Sequence, residues 1–317
     1  MSLTGQILIA LLLDALIGDP RRLPHPVRLI GRLALRLEPL CRRILPERPA
    51  GVCTVLLVLT VTCLSGWVLI RAAGMVHPLA GEATAVFLLY TCFAARDLLD
   101  HGNRVAAALA ANDLAGARRA VGMIVGRDTA ELDRAGVVRA CVESVAENTV
   151  DGVTAPLFWA VLAGPVGVLG YKAASTMDSL FGYRNERYRL FGWAPARLDD
   201  LLNWLPARLT GVLLAAAALI LNLRPRAAWR IFRRDRFKHA SPNSGHAEAA
   251  AAGALGIRLG GPSRYGDRLV DKPLIGDDGM VPDSVHIAQI NRLMVTAALL
   301  AAALFLGLRL VVVRVLG

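Results

Sequence analysis

The sequence predicts an all-α, polytopic membrane protein with four to six membrane segments, one or two of which can be re-entrant, and with helical cytoplasmic regions between them. Three observations predict it. The 317 residues are 55% hydrophobic and 19% charged, with a mean hydropathy of +0.48, well above the apolar share of a soluble globular chain. Uncharged runs recur at close to the ~20 residues that a helix needs to cross the hydrocarbon of a bilayer. Lys and Arg total 36 against 25 Asp and Glu, and the excess falls in alternate loops. This composition excludes a disordered chain and a soluble enzyme of ordinary make-up.

The segments follow in order. Residues 1–13 are apolar, lack a basic n-region and run into Asp14 and Gly18-Asp19-Pro20 rather than a small-residue cleavage site, so a retained first membrane segment is expected, not a signal peptide. The runs 52–70, 152–171 and 293–308 hold 19, 20 and 16 uncharged residues, and 83–95 and 210–223 are shorter, at 13 and 14. Gly164, Pro165, Gly167 and Gly170 interrupt 152–171; a broken helix at membrane depth is tolerated where it lines protein or a wet cavity. The chain therefore divides into 1–95, membrane segments with a basic cytoplasmic loop; 96–152, a cytoplasmic helical region; 153–223, a broken segment, a polar loop and a second apolar segment; 224–292, a basic cytoplasmic region; and 293–317, a terminal membrane helix.

The basic residues orient this arrangement. Eight lie in 18–51, seven in 96–152 and twelve in 224–292. Strict alternation from an outside amino terminus thus puts 27 of 36 on the inner face, the positive-inside bias. If 152–171 and 210–223 each enter and leave on one face, the six basic residues of 172–208 join them, giving 33, and this arrangement is preferred. The charge is accounted for by membrane orientation and anionic lipid. No zinc finger, RNP-like motif or basic heptad helix is present, so nucleic acid is not an expected partner. Cys41, Cys53, Cys63, Cys92 and Cys141 form no CxxC and read as core residues of a reduced protein.

The polar segments carry the chemistry. A helix after Ala95 sets Arg96 beside Asp100 and Asp97 beside His101. A second helix starts after Asn112-Asp113 and ends near Gly126. Asp128 and Glu131 have capping-box spacing, and the amides of a helix starting there, with Arg127 adjacent, could hold a phosphate or simply be capped. The next helix aligns Arg139, Glu143, Glu147 and Asp151 at steps of four, with Asn148 adjacent; such a carboxylate row either binds a hard cation such as Mg²⁺ or pairs with arginines. Between two apolar segments stand Lys172, Asp178, Arg197, Asp199, Asp200 and Asn203, costly beside a membrane unless paired or functional. The basic run 224–239 reads as a membrane-surface amphipathic stretch. Residues 256–272 read as a Gly-rich basic loop suited to polyphosphate, though neither GxxxxGK[ST] nor GxGxxG occurs.

Taken in order, these blocks resemble the adenosylcobinamide-phosphate synthase family of cobalamin biosynthesis (CbiB/CobD) over nearly the whole chain. The matching stretches are Gly18-Asp19-Pro20 with His25-Pro26, Arg96-Asp97-Leu98, 125–129 (VGRDT), 142–152 (VESVAENTVDG), 171–183 (YKAASTMDSLFGY), 196–203 (ARLDDLLN) and 241–248 (SPNSGHAE). Ser175 and Ser244 depart from it, standing where asparagine and alanine are expected. The resemblance implies a multi-pass enzyme of the inner membrane with its site facing the cytoplasm. It would join aminopropanol, or its O-phosphate, to the free propionate of adenosylcobyric acid, with ATP driving the reaction and Mg²⁺ expected. A carboxylate is a poor electrophile at neutral pH, so an acyl phosphate attacked by the amine is the expected route.

That chemistry assigns Glu143, Glu147 and Asp151 to metal or amine handling, and Lys172, Arg127 and Arg197 to neutralising phosphate. Asp178, Asp199 and Asp200 form a second carboxylate set for metal or general base. Asp19, His25, His239 and Asn243, with Arg96, Asp128, Asn148 and Asn203, are substrate-binding candidates. Membrane lipid and other membrane enzymes of the late pathway are further expected partners. The rival readings are a transporter, for which the broken segment argues, and a non-catalytic membrane regulator.

Overall fold

The computed structural model describes residues 1–19, 25–183, 185–266 and 268–316. In chain order the helices are α1 (Leu3–Ile17), α2 (Pro26–Ile44), α3 (Glu47–Val76), α4 (Pro78–Tyr90), α5 (Ala95–Ala110), α6 (Leu114–Gly122), α7 (Arg134–Thr149), α8 (Ala155–Phe181), α9 (Trp193–Leu202), α10 (Trp204–Ile220), α11 (Pro225–Asp235), α12 (Ser244–Leu255) and α13 (Ser284–Leu316). A π-turn over Val150–Thr154 separates α7 from α8, and one antiparallel hairpin, β1 (Leu259–Tyr265) with β2 (Arg268–Ile275), precedes α13.

Among the described residues four helical stretches are long and apolar enough to cross a membrane: Glu47–Val76, Pro78–Ala110, Arg134–Phe181 and Ser284–Val315. The pair α9 and α10, bent by 48° at its break, would make a fifth, and α1 is a shorter apolar helix. This agrees with the four to six segments expected. The chain divides into two units, the first made of 1–94, 155–203 and 305–317, the second of 95–154 and 204–304.

In the first unit α2, α3 and α8 pack around Ile30, Ala34, Val55, Val58, Met177 and Phe181. Leu56, Leu64, Trp67 and Leu69 on α3 are exposed, an apolar face that a helix of this length keeps when lipid covers it. The break foreseen in the Gly/Pro run is real: Gly164 has φ 67° and ψ −162° within α8, a conformation glycine adopts freely, and Pro165 next to it cannot donate a helical hydrogen bond.

In the second unit every residue of α12 is buried, against α7, α10 and α11. Its run of alanines and glycines lets the neighbours approach closely. A Cβ on Gly253 would lie 2.5 Å from the carbonyl oxygen of Ala227 on α11. Asp235, at the end of α11, is fully buried and accepts two hydrogen bonds from Arg234, both 2.7 Å, one from the Gly276 N–H at 2.9 Å, and a contact from Lys238 at 2.8 Å. Burial alone would raise its pKa, but these cations and the amide hold it well below the usual carboxylate range. A depressed folded-state pKa contributes stability above the unfolded value, near pH 4, and loses it as pH falls through the folded one. Thermal unfolding in detergent is therefore expected to show the Asp235→Ala variant about 3 kcal/mol less stable at neutral pH, with the gap closing in acid.

Three local expectations are corrected. Helix α6 stops at Gly122, not near Gly126. Helix α7 starts later than the 128–131 capping box implied: Asp133 is its cap, accepting the Gly136 N–H at 2.7 Å, because the Asp128 carboxylate instead accepts the Gly266 N–H at 2.7 Å. Residues 256–272 are not an open loop but mostly the β-hairpin, whose Gly260 and Gly261 (φ 85° and 83°) sit at a register shift. Glycine supplies there the positive φ that such a bulge requires.

Candidate functional site

The site in the second unit starts from α7. Glu143 and Glu147, one turn apart, share a face. Glu143 pairs with Arg127, and both side chains are only 6% exposed. Its Oε1 accepts the Gly260 N–H at 2.7 Å, while Arg127 Nη1 donates to Ser263 Oγ at 2.8 Å. The 125–129 block is thus tied at once to α7 and to the hairpin, and the Asp128 N–H adds a bond to the Arg264 carbonyl at 2.9 Å. Ser144 Oγ donates to the Ile124 carbonyl at 2.5 Å, and Asn148 Nδ2 to that of Ser144 at 2.9 Å, which fixes the loop before α7 against the helix. Asp151 falls in the π-turn, so the α-helical row ends at Glu147. A π-bulge of this kind is frequent at functional sites.

The third contributor is the start of α12. Ser241 Oγ accepts the N–H groups of Asn243 and Ser244 at 3.2 and 3.4 Å, and the Ser241 N–H in turn donates to His239 Nδ1 at 3.0 Å. A neutral His239 therefore carries its proton on Nε2, which faces Glu248 Oε1 at 3.9 Å. Ser244 Oγ donates to Glu147 Oε1 at 2.8 Å, and the positive end of the α12 dipole favours a carboxylate placed there.

Electrostatics divide the groups. Burial pushes the Glu248 carboxyl well above the usual range, and the negative charges of Glu143 and Glu147 push it further, against Lys272 and Arg127. Burial also lowers the pKa of His239, with Glu147 opposing and Lys272 assisting. The site thus favours an uncharged imidazole beside a carboxyl that gives up its proton less readily than a solvated one.

Glu248 carries a stability consequence. Its folded-state pKa is raised, so the native state binds more protons than the unfolded chain and stability falls as pH rises above about 4. Each unit of elevation costs about 1.4 kcal/mol. Glu248→Gln, which mimics the protonated form, is expected to raise the unfolding temperature at neutral pH and to flatten its fall between pH 5 and 8. A lower melting point across that range would contradict the assignment.

The first unit gathers other expected residues. His25 Nε2 lies 2.9 Å from Asp19 Oδ1. Burial lowers the His25 pKa, Asp19 opposes this, and the charges of Arg28 and Lys172 add to it, which places Lys172 in the field of His25. Tyr171 OH donates to Asn203 Oδ1 and Asn203 Nδ2 to Asp199 Oδ2, each at 3.0 Å; Arg197 lies 3.6 Å from Asp200. The Asp178 carbonyl accepts the Gly182 N–H at 2.6 Å. On α5, Arg96 meets Asp100 at 3.0 Å and His101 meets Asp97 at 3.5 Å, the foreseen helix pairs.

The structure therefore brings Arg127, Glu143, Glu147, His239 and Asn243 into one neighbourhood, and Asp19, His25 and Lys172 into another. Among the described residues no group of three or more His, Cys, Asp or Glu side chains converges to hold a metal. Glu147 and Asp151 belong to the second unit, Asp199 and Asp200 to the first. The residues that the sequence did not single out as site candidates are Glu248 and Ser244, while Gly260, Ser263 and Lys272 were seen only as part of the 256–272 segment. One signal was available for the first: Glu248 is the single charged residue in the alanine-rich run of α12.

The family described as CobD/Cbib protein matches residues 7–294. The chain belongs to the CobD/CbiB family. Cobalamin biosynthesis protein CobD of Pelobacter propionicus is 50% identical over 302 residues, covering 94% of this chain and 93% of the relative. CobD of Geobacter metallireducens is 52% identical over 272 residues, 86% of each. Cobalamin biosynthesis protein CbiB of Salmonella typhi is 45% identical over 305 residues, 95% of this chain and 96% of the relative. No solved structure matches the chain. In this CobD/CbiB member the blocks 125–129, 142–152 and 241–248 meet in the second unit. Ser244, where the resemblance led to the expectation of alanine, is itself bonded to Glu147.

Proposed function

We propose that this CobD/CbiB protein acts in cobalamin biosynthesis as an amide-forming ligase. It joins aminopropanol or its O-phosphate to the free propionate of adenosylcobyric acid, in the inner membrane and with the second unit facing the cytoplasm. The observation that carries this reading is the convergence of three separate blocks on the Glu143–Glu147 face of α7, with the Arg127–Glu143 ion pair, the Ser244 hydroxyl bonded to Glu147 and His239 facing the buried Glu248 carboxyl. Solvated surface charge has no need of such burial.

ATP is the co-substrate in this proposal. The propionate oxygen attacks the γ-phosphorus and ADP leaves, giving an acyl phosphate. The amine then attacks the acyl carbon and phosphate departs. An ammonium group must lose a proton before it can attack, and in this reading Glu147 takes it, with Ser244 bonded to Oε1 and Oε2 accepting from the amine. The second proton leaves with the phosphate. His239, with Nδ1 already accepting a backbone N–H, offers its Nε2–H as a hydrogen-bond donor rather than acting as the base. Arg127 is committed to Glu143 and Ser263, so it shapes the site. Mg²⁺ enters with the nucleotide, since this ion is commonly held by one or two carboxylates together with substrate phosphates.

The test uses the purified chain in detergent with adenosylcobyric acid, aminopropanol O-phosphate or aminopropanol, ATP and Mg²⁺, followed by mass spectrometry. The amide mass is expected and should depend on ATP. Its absence, when the same substrates are consumed in a positive-control extract, would reject the ligase in favour of a transporter or regulator.

A further inference from the structure

Helix α11 begins five residues after α10 ends at Ile220, a reach of at most about 18 Å, and the two pack antiparallel: Gly211 of α10 faces the Phe232 ring, and Arg208 lies in the field of Arg236. The buried face of α11 is Ala228, Ile231, Phe232 and Asp235. The opposite face presents Arg226, Trp229, Arg230, Arg233 and, just past the helix end, Phe237, all exposed. Arg230 meets Asp277, whereas Arg226 and Arg233 have no ion pair among the described residues. Trp229 and Phe237 are 46% and 64% exposed. A polar face of unpaired arginines with large exposed aromatics is the composition of a helix that lies in the headgroup layer.

The antiparallel pairing adds a constraint. If α10 crossed the bilayer as half of a bent span, α11 would be carried along it, and three arginines would face hydrocarbon, which is strongly unfavourable. We propose that α10 and α11 form a pair lying in the plane of the membrane, with the Arg226–Trp229–Arg233 face of α11 docked on the phosphate headgroups of anionic phospholipid. The fifth candidate span is then a surface element. The arginines meet lipid phosphate, while the aromatic rings reach the acyl boundary, where such amphipathic rings are favoured.

The test is Trp229 fluorescence in the full chain reconstituted into nanodiscs, taken as the difference between the unaltered chain and Trp229→Phe. In discs containing phosphatidylglycerol the Trp229 emission is expected at shorter wavelength and several-fold less quenched by iodide than in phosphatidylcholine discs. It should also be quenched more by a nitroxide near the headgroup than by one at the bilayer centre. Arg226→Gln with Arg233→Gln should remove the dependence on anionic lipid, as should 1 M salt, where screening acts within ~3 Å. Quenching strongest at the bilayer centre would overturn the proposal in favour of a spanning α10. Equal iodide quenching in the two lipids, or protection by free inorganic phosphate in phosphatidylcholine discs, would overturn the lipid assignment.

Discussion

Glu147→Gln is expected to lower the rate of amide synthesis by about 100- to 10,000-fold, the range typical of losing a general base. The amide side chain of glutamine can still accept the Ser244 hydroxyl bond that Glu147 Oε1 accepts at 2.8 Å, so folding should survive, but it cannot take a proton from the ammonium. The loss should therefore appear in kcat with the unfolding temperature little changed. Because the defect lies in deprotonation, the residual rate should rise with pH as more amine becomes free. Asp178→Asn in the first unit is the companion measurement. Near-normal rates in both variants would remove the carboxylates from the reaction.

The second large effect is structural. Arg127→Ala leaves Glu143 buried, 5% exposed, with the Gly260 amide as its remaining donor. Removing one partner of a buried ion pair costs about 3–5 kcal/mol, because the other charge is left uncompensated. For a chain of this size that is a fall of roughly 6–20 °C in the unfolding temperature. Glu143→Ala should cost as much, since Arg127 is equally buried. Replacing the pair by apolar residues, Arg127→Met with Glu143→Leu, should recover most of the stability while activity stays lost. Additive losses in the double variant would show that the two residues do not act as a pair.

Long periodic elements were legible in the sequence, and short irregular ones were not. The runs 52–70 and 293–308 lie within α3 and α13, because apolar length alone specifies a membrane helix. The break in α8 could be read from Gly164-Pro165, since only that chemistry both permits a positive φ and removes a donor. Asp128, with Glu131 three residues on, had the capping-box spacing, whereas Asp133, the actual cap, is followed at that spacing by Gly136. Asp128 is instead taken up by Gly266, 138 residues away along the chain, which no local pattern records. The hairpin was hidden for a related reason: its glycines and arginines resemble a loop until pairing with β2 gives them a register.

The same holds for the site. Glu143 and Glu147 were visible through their helical spacing, whereas Glu248 acquires its character only from burial beside them, about a hundred residues later in the chain. Asp151 looked like a fourth member of the row, but the π-turn takes it out of α-helical phase. Pairing also changed the meaning of Arg127. Set beside free amides it would suit phosphate, but with Glu143 and Ser263 as partners its charge is already met.

The central claim is that this chain activates a propionate with ATP and passes it to an amine. It is tested most directly by supplying adenosylcobyric acid carrying ¹⁸O in its free carboxylate, with aminopropanol O-phosphate, ATP and Mg²⁺, and following the label by mass spectrometry. The account predicts one ¹⁸O in the inorganic phosphate released for each amide formed. Amide formed without ATP, or with the label found in AMP instead of inorganic phosphate, would contradict it.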